Sequence, residues 1–429
     1  MKKIILSLLI SSSAWAQQVV PKKYNYTNFN LIVDVEGREK FYNQMIREKP
    51  ENKAKPAQYN DYRSSLAIGW LAKGNLERYK YYTKGNPEFS FPNLLDFSYT
   101  LEHLVEDSNN LKIVEEVSKA YLDRLDKNKA NDELTTDRMQ VLLEVNAMAN
   151  AKLGNVDVAM KNIERSSVIK GMREAKYFKD SKSNYLNRYA IVLHAAGQHK
   201  KALDLLTEAV RNADSNPKVI ATLREIYKKV NGSDKGLDST IKALQDEAYH
   251  KYYKEVEKSY IADSKIPFRG VIANPDEDSK DKTLTLFTAR KHAKEISLPE
   301  LSGKKVNFAD YQGKILVIDF WTTGCTPCVA AFAGFEKVVA DYKNDPFQLF
   351  VINLFEGQET IKSFIAKKGI TLDVLRDVPN AAYDIQATPT KIIFDPTGTI
   401  RFYSSGYAGS TDREYYKLKA MVEIVKAHS

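Results

Sequence analysis

Apolar residues recur at three- and four-residue spacing from about residue 36 to Tyr260, and after Leu286 that period gives way to short alternating or continuous apolar runs. The first pattern lays an apolar stripe along a helix, and the second belongs to strands. The chain is therefore expected to be multidomain, with an all-α region over 36–260 followed by an α/β region over 285–429. Between them, Pro267, Gly270, Pro275 and the acidic run Asp276-Glu277-Asp278 break both patterns, which reads as a linker over 261–284. A helical region of more than 200 residues is ample for a core of its own and is expected to fold independently.

Within the helical region, Leu111 to Leu125 and Arg138 to Leu153 carry the period most clearly. Three helix-to-helix turns share a phrase: Leu71-Ala72-Lys73-Gly74-Asn75, Ala151-Lys152-Leu153-Gly154-Asn155 and Ala195-Ala196-Gly197-Gln198. The last continues through Ala202, Leu206 and Ala209 to Pro217 and resembles a tetratricopeptide repeat, in which small residues let paired helices approach. A non-repeating helical bundle is the alternative, because the copies are unevenly spaced. His103, His194, His199 and His250 do not fall at metal-ligand spacings, and tyrosines such as Tyr79, Tyr81 and Tyr82 read as interhelical packing.

The first sixteen residues place Lys2 and Lys3 before the apolar run Ile4 to Ile10 and end in Ala14-Trp15-Ala16. This is the pattern of a bacterial secretory signal peptide cleaved near Ala16, too short to span a bilayer. The mature chain is expected in the periplasm or otherwise exported, with an extended arm over 17–35 and no further spanning segment. Its charge, from 64 Lys and Arg against 55 Asp and Glu, is interleaved along the chain, which excludes the concentrated basic stripe of a nucleic-acid binder.

The α/β region reads as a hairpin over Glu295 to Phe308, a buried strand over Gly313 to Phe320 and a helix from about Thr326 to Asn344. A strand Gln348 to Leu354, a helix Thr360 to Lys368 and a short extended Thr371 to Leu375 come next. Strands Lys391 to Asp395 and Thr399 to Tyr403 flank the turn Asp395-Pro396-Thr397-Gly398, and a last helix starts near Thr411. The chain's two cysteines, Cys325 and Cys328, stand where the apolar strand ends and the helix begins. A disulfide between them closes a loop too small to restrain the unfolded chain, so the pair points to chemistry rather than stapling. Zinc would need two more ligands, and the nearest histidines in sequence are His292 and His428, so no metal is expected. Free N–H groups and the dipole at a helix start stabilise a thiolate, which makes Cys325 the expected nucleophile. Cys328, one turn in, is then the resolving thiol that attacks a mixed disulfide.

The run Ile318-Asp319-Phe320-Trp321, then Cys325-Thr326-Pro327-Cys328, with Tyr383 to Thr388-Pro389-Thr390 downstream, resembles the thioredoxin superfamily. The inserted stretch Phe355 to Val378 resembles its TlpA-like branch of exported or tethered thiol-disulfide oxidoreductases. The likeness covers about residues 285–429 and implies a redox-active Cys325–Cys328 disulfide with no cofactor. It also implies a cis-proline at Pro389, a backbone at Thr388 that pairs with an extended substrate, and Trp321 beside the motif on the substrate side. Asp319 takes the place of the buried acid that accepts the proton of Cys328. Gly324 stands where many relatives have Trp, which opens the rim, and Ala331 and Ala333 stand where relatives often carry Glu and Pro.

Thr326-Pro327 is closer to the reducing members, so the expected activity is protein-disulfide reduction of disulfide-containing clients, supplied by a membrane or periplasmic electron donor. The helical region would select clients or partners. Oxidation or isomerisation of disulfides by the same pair is the alternative direction, and two further readings stay open. One is a partner-binding helical scaffold with a passenger thioredoxin-like domain; the other is a peroxiredoxin-like peroxidase, suggested by the Thr-x-x-Cys spacing of Thr322 and Cys325 but lacking the preceding Pro, whose place is Ile318.

Overall fold

In a computed structural model the described residues are 24–48, 59–85, 89–127, 133–169, 179–274 and 281–429. The leader over 1–16, the start of the arm, Pro275 and the acidic run lie outside them. The arm is not extended where it is described, because Tyr26–Leu31 forms helix α1, capped by the Asn25 side chain, which accepts from the Asn28 N–H (2.7 Å). Phe29 then drives the segment inward, wholly buried against Phe41 and Tyr62.

Helices α2 (Val35–Glu48), α3 (Asn60–Ala72), α4 (Leu76–Thr83), α5 (Phe91–Leu104), α6 (Leu111–Lys127) and α7 (Glu133–Lys152) follow. Then come α8 (Val156–Val168), α9 (Ser181–Ala195), α10 (His199–Arg211), α11 (Pro217–Asn231) and α12 (Leu237–Glu257). The three turn phrases stop α3, α7 and α9 in one way. Gly74, Gly154 and Gly197 take left-handed φ of 71°, 86° and 75°. The next N–H then reaches the carbonyl five residues back: Asn75 to Trp70 (3.0 Å), Asn155 to Asn150 (2.8 Å) and Gln198 to Leu193 (2.9 Å). Glycine adopts this stop without a Cβ penalty, and each stop folds the next helix back onto its predecessor. Helices α1 to α7 share one core, with Leu66, Phe97 and Leu142 at its centre, and α9 to α12 enclose a second around Leu206 and Leu223. Arg188, itself buried, joins α9 to α7 and α5 through Glu144 (2.9 Å) and Glu102 (2.7 Å).

As expected, an α/β region follows the helical one. Its five-stranded sheet contains β5 (Ile315–Trp321), β6 (Phe347–Leu354), β7 (Val374–Asp377), β8 (Thr390–Phe394) and β9 (Ile400–Ser405) in the order β7-β6-β5-β8-β9. The first three strands run parallel, β8 pairs antiparallel with β5, and β9 pairs antiparallel with β8. All seven residues of β5 are buried, the property that makes its sequence a continuous apolar run. Helices α13 (Thr326–Asp341) and α15 (Thr411–His428) cover the face carrying Val317 and Trp321, and α14 (Gln358–Lys368) joins β6 to β7. The opposite face, carrying Leu316, Ile318 and Phe320, is covered by two hairpins. The second is the expected one, β3 (Ser297–Pro299) with β4 (Lys305–Asn307).

The first hairpin corrects the linker expected over 261–284. Strand β1 (Phe268–Ala273) pairs antiparallel with β2 (Thr283–Ala289). The hairpin and the chain before it are tied to β9: the Ile261 N–H donates to the Arg401 carbonyl (2.9 Å), and the Tyr403 hydroxyl donates to the Val271 carbonyl of β1 (2.8 Å).

The two halves also share buried surface, against the expectation that the helical region stands alone. Val256 of α12 belongs to the core that contains Val317 and Leu418, and Ala213, Ala248 and Tyr252 pack on Tyr416. Asp180 accepts from the N–H (2.5 Å) and hydroxyl (2.8 Å) of Thr411, capping α15 from the helical side. The Ser410 hydroxyl donates to the Ala213 carbonyl (2.5 Å), and Ser215 bonds Asp412. At the other edge, the Ser363 hydroxyl of α14 donates to the Leu31 carbonyl of α1 (3.0 Å).

Candidate active site at Cys325 and Cys328

Strand β5 delivers its last residue, Trp321, to the carboxyl end of the parallel strands, and the chain turns there into α13. The turn is closed by the Cys325 N–H donating to the Thr322 carbonyl (3.0 Å), and the Cys325 carbonyl accepts from Val329 (3.2 Å) to start the helix. Cys325 is the residue preceding α13, Pro327 lies in its first turn, where a missing N–H costs nothing, and Cys325 and Cys328 are joined as a disulfide. Cys328 is wholly buried, whereas Cys325 keeps 9% of its surface and follows the exposed Gly324 in the chain. A Cβ added at Gly324 would meet nothing within 4 Å, so the rim beside Cys325 is open.

Pro389 follows a cis peptide bond at Thr388, directly before β8. The pairing of Phe320 with Thr390 sets it beside the end of β5. Its carbonyl is held twice, by the Ser405 hydroxyl (2.9 Å) and the Gly406 N–H (3.3 Å). Pro389 itself is buried and Thr388 is half-buried at the surface.

Trp321 does not reach the surface. Its ring is fully buried, edge-on to Phe332 (5.4 Å between centroids) and beside Phe364 (5.8 Å). The substrate contact expected of it is corrected on that ground: the ring supports the loop from beneath and presents no area to a substrate.

Asp319 shares the strand face of Val317 and Trp321, the face on which Cys328 packs. The Cys328 sulfur lies 3.9 Å from the carbonyl oxygen of Phe320, the residue next to Asp319. The Asp319 carboxyl is buried, and its Oδ2 has no hydrogen-bond partner among the described residues. Burial pushes its pKa up to about 8; the Lys391 ammonium opposes that rise and the Glu414 carboxylate adds to it. Lys391 is the register partner of Asp319 on β8, is itself buried, donates to Glu414 and lies 4.4 Å from the centre of the Phe335 ring. Glu414 also accepts from the Ala408 N–H (3.0 Å). Room for this pair comes from Gly334, where a Cβ would sit 2.7 Å from that of Glu414.

Sequence reasoning missed three residues here. Lys391 and Glu414 form a buried ion pair whose lysine is the register partner of Asp319. A lysine opening the expected strand Lys391 to Asp395 is the available signal. The third, Glu356, accepts from both the N–H (2.8 Å) and hydroxyl (2.5 Å) of Thr323 and from the Asn353 amide (2.6 Å), fixing the loop that presents Cys325. Nothing in the local sequence marks it. Among the described residues no group of three or more His, Cys, Asp or Glu side chains is placed to hold a metal ion, and no helix is long and apolar enough to cross a membrane.

A family model described as the AhpC/TSA family matches residues 289–403. Thiol-disulfide oxidoreductase ResA of Halalkalibacterium halodurans is 26% identical over 138 residues, 31% of this chain and 78% of that protein. Thioredoxin-like protein YneN of Bacillus subtilis is 30% identical over 114 residues, 25% of this chain and 66% of its own length. Among solved structures, a putative thioredoxin from Neisseria meningitidis has 29% identity and a TM-score of 0.28, covering 31% of this chain and 89% of its own. The α/β region that carries Cys325 and Cys328 is thus an AhpC/TSA-type, thioredoxin-like domain with thiol-disulfide oxidoreductases among its relatives.

Proposed function

We propose that the protein is an exported protein-disulfide reductase of the TlpA-like kind, with Cys325 attacking and Cys328 resolving. The observation that carries this is the pair of sulfurs spanning the first turn of α13, one at an open rim and one buried on the face of Asp319. In the reduced protein, the Cys325 thiolate attacks one sulfur of a client disulfide, that bond breaks, and the other client sulfur leaves as a thiolate. Cys328 then gives its proton to Asp319 and attacks the Cys325 sulfur. The Cys325–Cys328 disulfide forms as the client's second sulfur departs, so the client gains two electrons and the protein loses two. A carboxyl pushed up to about 8 is close to the ordinary thiol range, which makes the proton transfer nearly balanced. A membrane or periplasmic donor returns the protein to its dithiol form.

Thr388 and Pro389 supply the edge along which an extended client segment lies, and the TPR-like helical half selects clients. Export rests on the leader over 1–16. The test is capture of clients by the full chain: Cys328→Ser should accumulate mixed disulfides and Cys325→Ser should not. Equal capture by both variants rejects the assignment. A peroxide-cleaving reading has the AhpC/TSA-type match and the Thr322 to Cys325 spacing in its favour. Consumption of hydrogen peroxide by the reduced protein far faster than by a free thiol would replace the reductase reading with that one.

A further inference from the structure

We propose that Phe355 and Val378 form a rim subsite that takes an apolar side chain of the client, next to the sulfur that Cys325 attacks. The inference rests on the disulfide-reductase reading above and names a feature of the client that the reading leaves open.

Strands β5, β6 and β7 are in parallel register, with Trp321 opposite Asn353 and Leu354 opposite Asp377. One residue past those ends, Phe355 follows β6 and Val378 follows β7 at the same edge of the sheet to which β5 delivers the Cys325 loop. Both are exposed, Phe355 by 61% and Val378 by 45%. The exposure is not the slack of a loose loop. Glu356 is bound to Thr323 and Asn353, and the Asp377 carboxylate accepts from the N–H groups of Ala381 (3.0 Å) and Ala382 (2.8 Å). Phe355 moreover holds a left-handed φ of 65°, a conformation that bulky side chains avoid and that is kept where the surroundings enforce it. A large apolar side chain is thereby fixed outward, one strand away from the loop of the reactive cysteine.

In the strand order, β8 with Pro389 adjoins β5 on one side, and β6 with Phe355 adjoins it on the other. An extended segment whose disulfide meets Cys325 and whose backbone lies along Thr388 therefore continues over the open Gly324 toward Phe355 and Val378. The occupant is that client segment, because bonding to Cys325 fixes its position. A residue there with a Leu-like side chain removes apolar area of both partners from water.

The test uses the full chain carrying Cys328→Ser and two peptides identical except at one position, each with one mixed aryl disulfide, whose neighbouring residue is Leu in one and Ser in the other. The Leu peptide should be captured roughly tenfold faster, the scale of one well-filled apolar contact. That preference should collapse toward unity when Phe355→Asn is added, since Asn tolerates the left-handed backbone. A preference that survives Phe355→Asn and Val378→Asn, or a fall in both rates by the same factor, overturns the subsite. So does loss of a dimer on gel filtration in Phe355→Asn with the preference intact, which would make the patch a contact between copies. Capture of neither peptide by any variant overturns the reductase reading itself.

Discussion

Replacing Asp319 by Asn tests the buried carboxyl through stability as well as through activity. An aspartyl carboxyl has a pKa of 3.8 in the open chain and is pushed up to about 8 in the fold. Between these values the native state binds a proton that the unfolded state has released, so the slope of unfolding free energy against pH is negative. The contribution of Asp319 is fully present below pH 3.8 and is lost as pH rises through 8. About four units at 1.36 kcal/mol each gives a loss on the order of 5 kcal/mol across that window. Asn keeps the shape and cannot ionise, so Asp319→Asn should unfold at nearly the same denaturant concentration as the parent at pH 4. By pH 9 it should be more stable by several kcal/mol. The assay is guanidinium unfolding of the full chain in its disulfide form, which keeps both sulfurs from titrating, read by fluorescence and circular dichroism. Midpoints of parent and variant that run parallel from pH 4 to 9 would refute the desolvated-carboxyl argument. In the reduced protein the same substitution should slow insulin reduction near neutral pH if Asp319 takes the proton of Cys328 as proposed.

Lys391→Met should cost about 3–5 kcal/mol at pH 7, because it leaves Glu414 charged and buried, and adding Glu414→Gln should recover part of that in the same unfolding assay. It should also push the midpoint of the Asp319 titration, followed by the pH dependence of insulin reduction, further upward, since the Lys391 cation that opposes burial is gone. Asp180→Ala leaves the Thr411 N–H and hydroxyl without their acceptor and should destabilise the full chain by roughly 2–3 kcal/mol, with unchanged chevron midpoints as the refuting result. A fragment starting at Thr283 exposes the surface of α15 that Val256 and Tyr252 cover and should self-associate on gel filtration; a monomer as stable as the full chain would show that the halves do not share a core.

The parts legible in the sequence are those written in local pattern. The apolar run of β5, its embedded Asp319, the spacing of Cys325 and Cys328 and the Thr388-Pro389 phrase each carry their own signal within a few residues. So do the stops at Gly74, Gly154 and Gly197, where the backbone needs the residue that lacks a Cβ. The equivalent stop at Ala213, with φ of 54° and the Asp214 N–H bonded to Ala209 (2.8 Å), was hidden because a residue with a Cβ rarely holds that conformation. The hairpin of β1 and β2 was masked by its neighbours: Pro267 and the acidic run read as a break, although Val271 and Ile272 with Leu284, Leu286 and Phe287 are strand residues. Trp321 is expected beside the motif on the substrate side because its position in the motif is local, while its burial by Phe332 and Phe364 depends on two other helices. Lys391 and Glu414 are 23 residues apart and meet only once β8 and α15 are packed.

The polar junction between the halves was the least legible part for a related reason. Asp180, Ser215, Ser410 and Asp412 are residue types ordinarily found at the surface, and each is nevertheless buried. Burying them is tolerable only because every one finds a partner across the junction, and the pattern of partners centres on the first turn of α15. That turn has four N–H groups that the helix itself cannot satisfy. Ser410, from its own chain neighbourhood, accepts from the Arg413 N–H (3.0 Å), and Asp180, from the helical half, accepts from the Thr411 N–H. Glu414 lies in the same turn and binds Lys391 of β8, the register partner of Asp319. The start of α15 is thus fixed on one side by the helical half and on the other carries the ion pair that faces the buried carboxyl. The packing of the helical region and the setting of the residue beneath Cys328 meet in one helical turn, which neither half completes by itself.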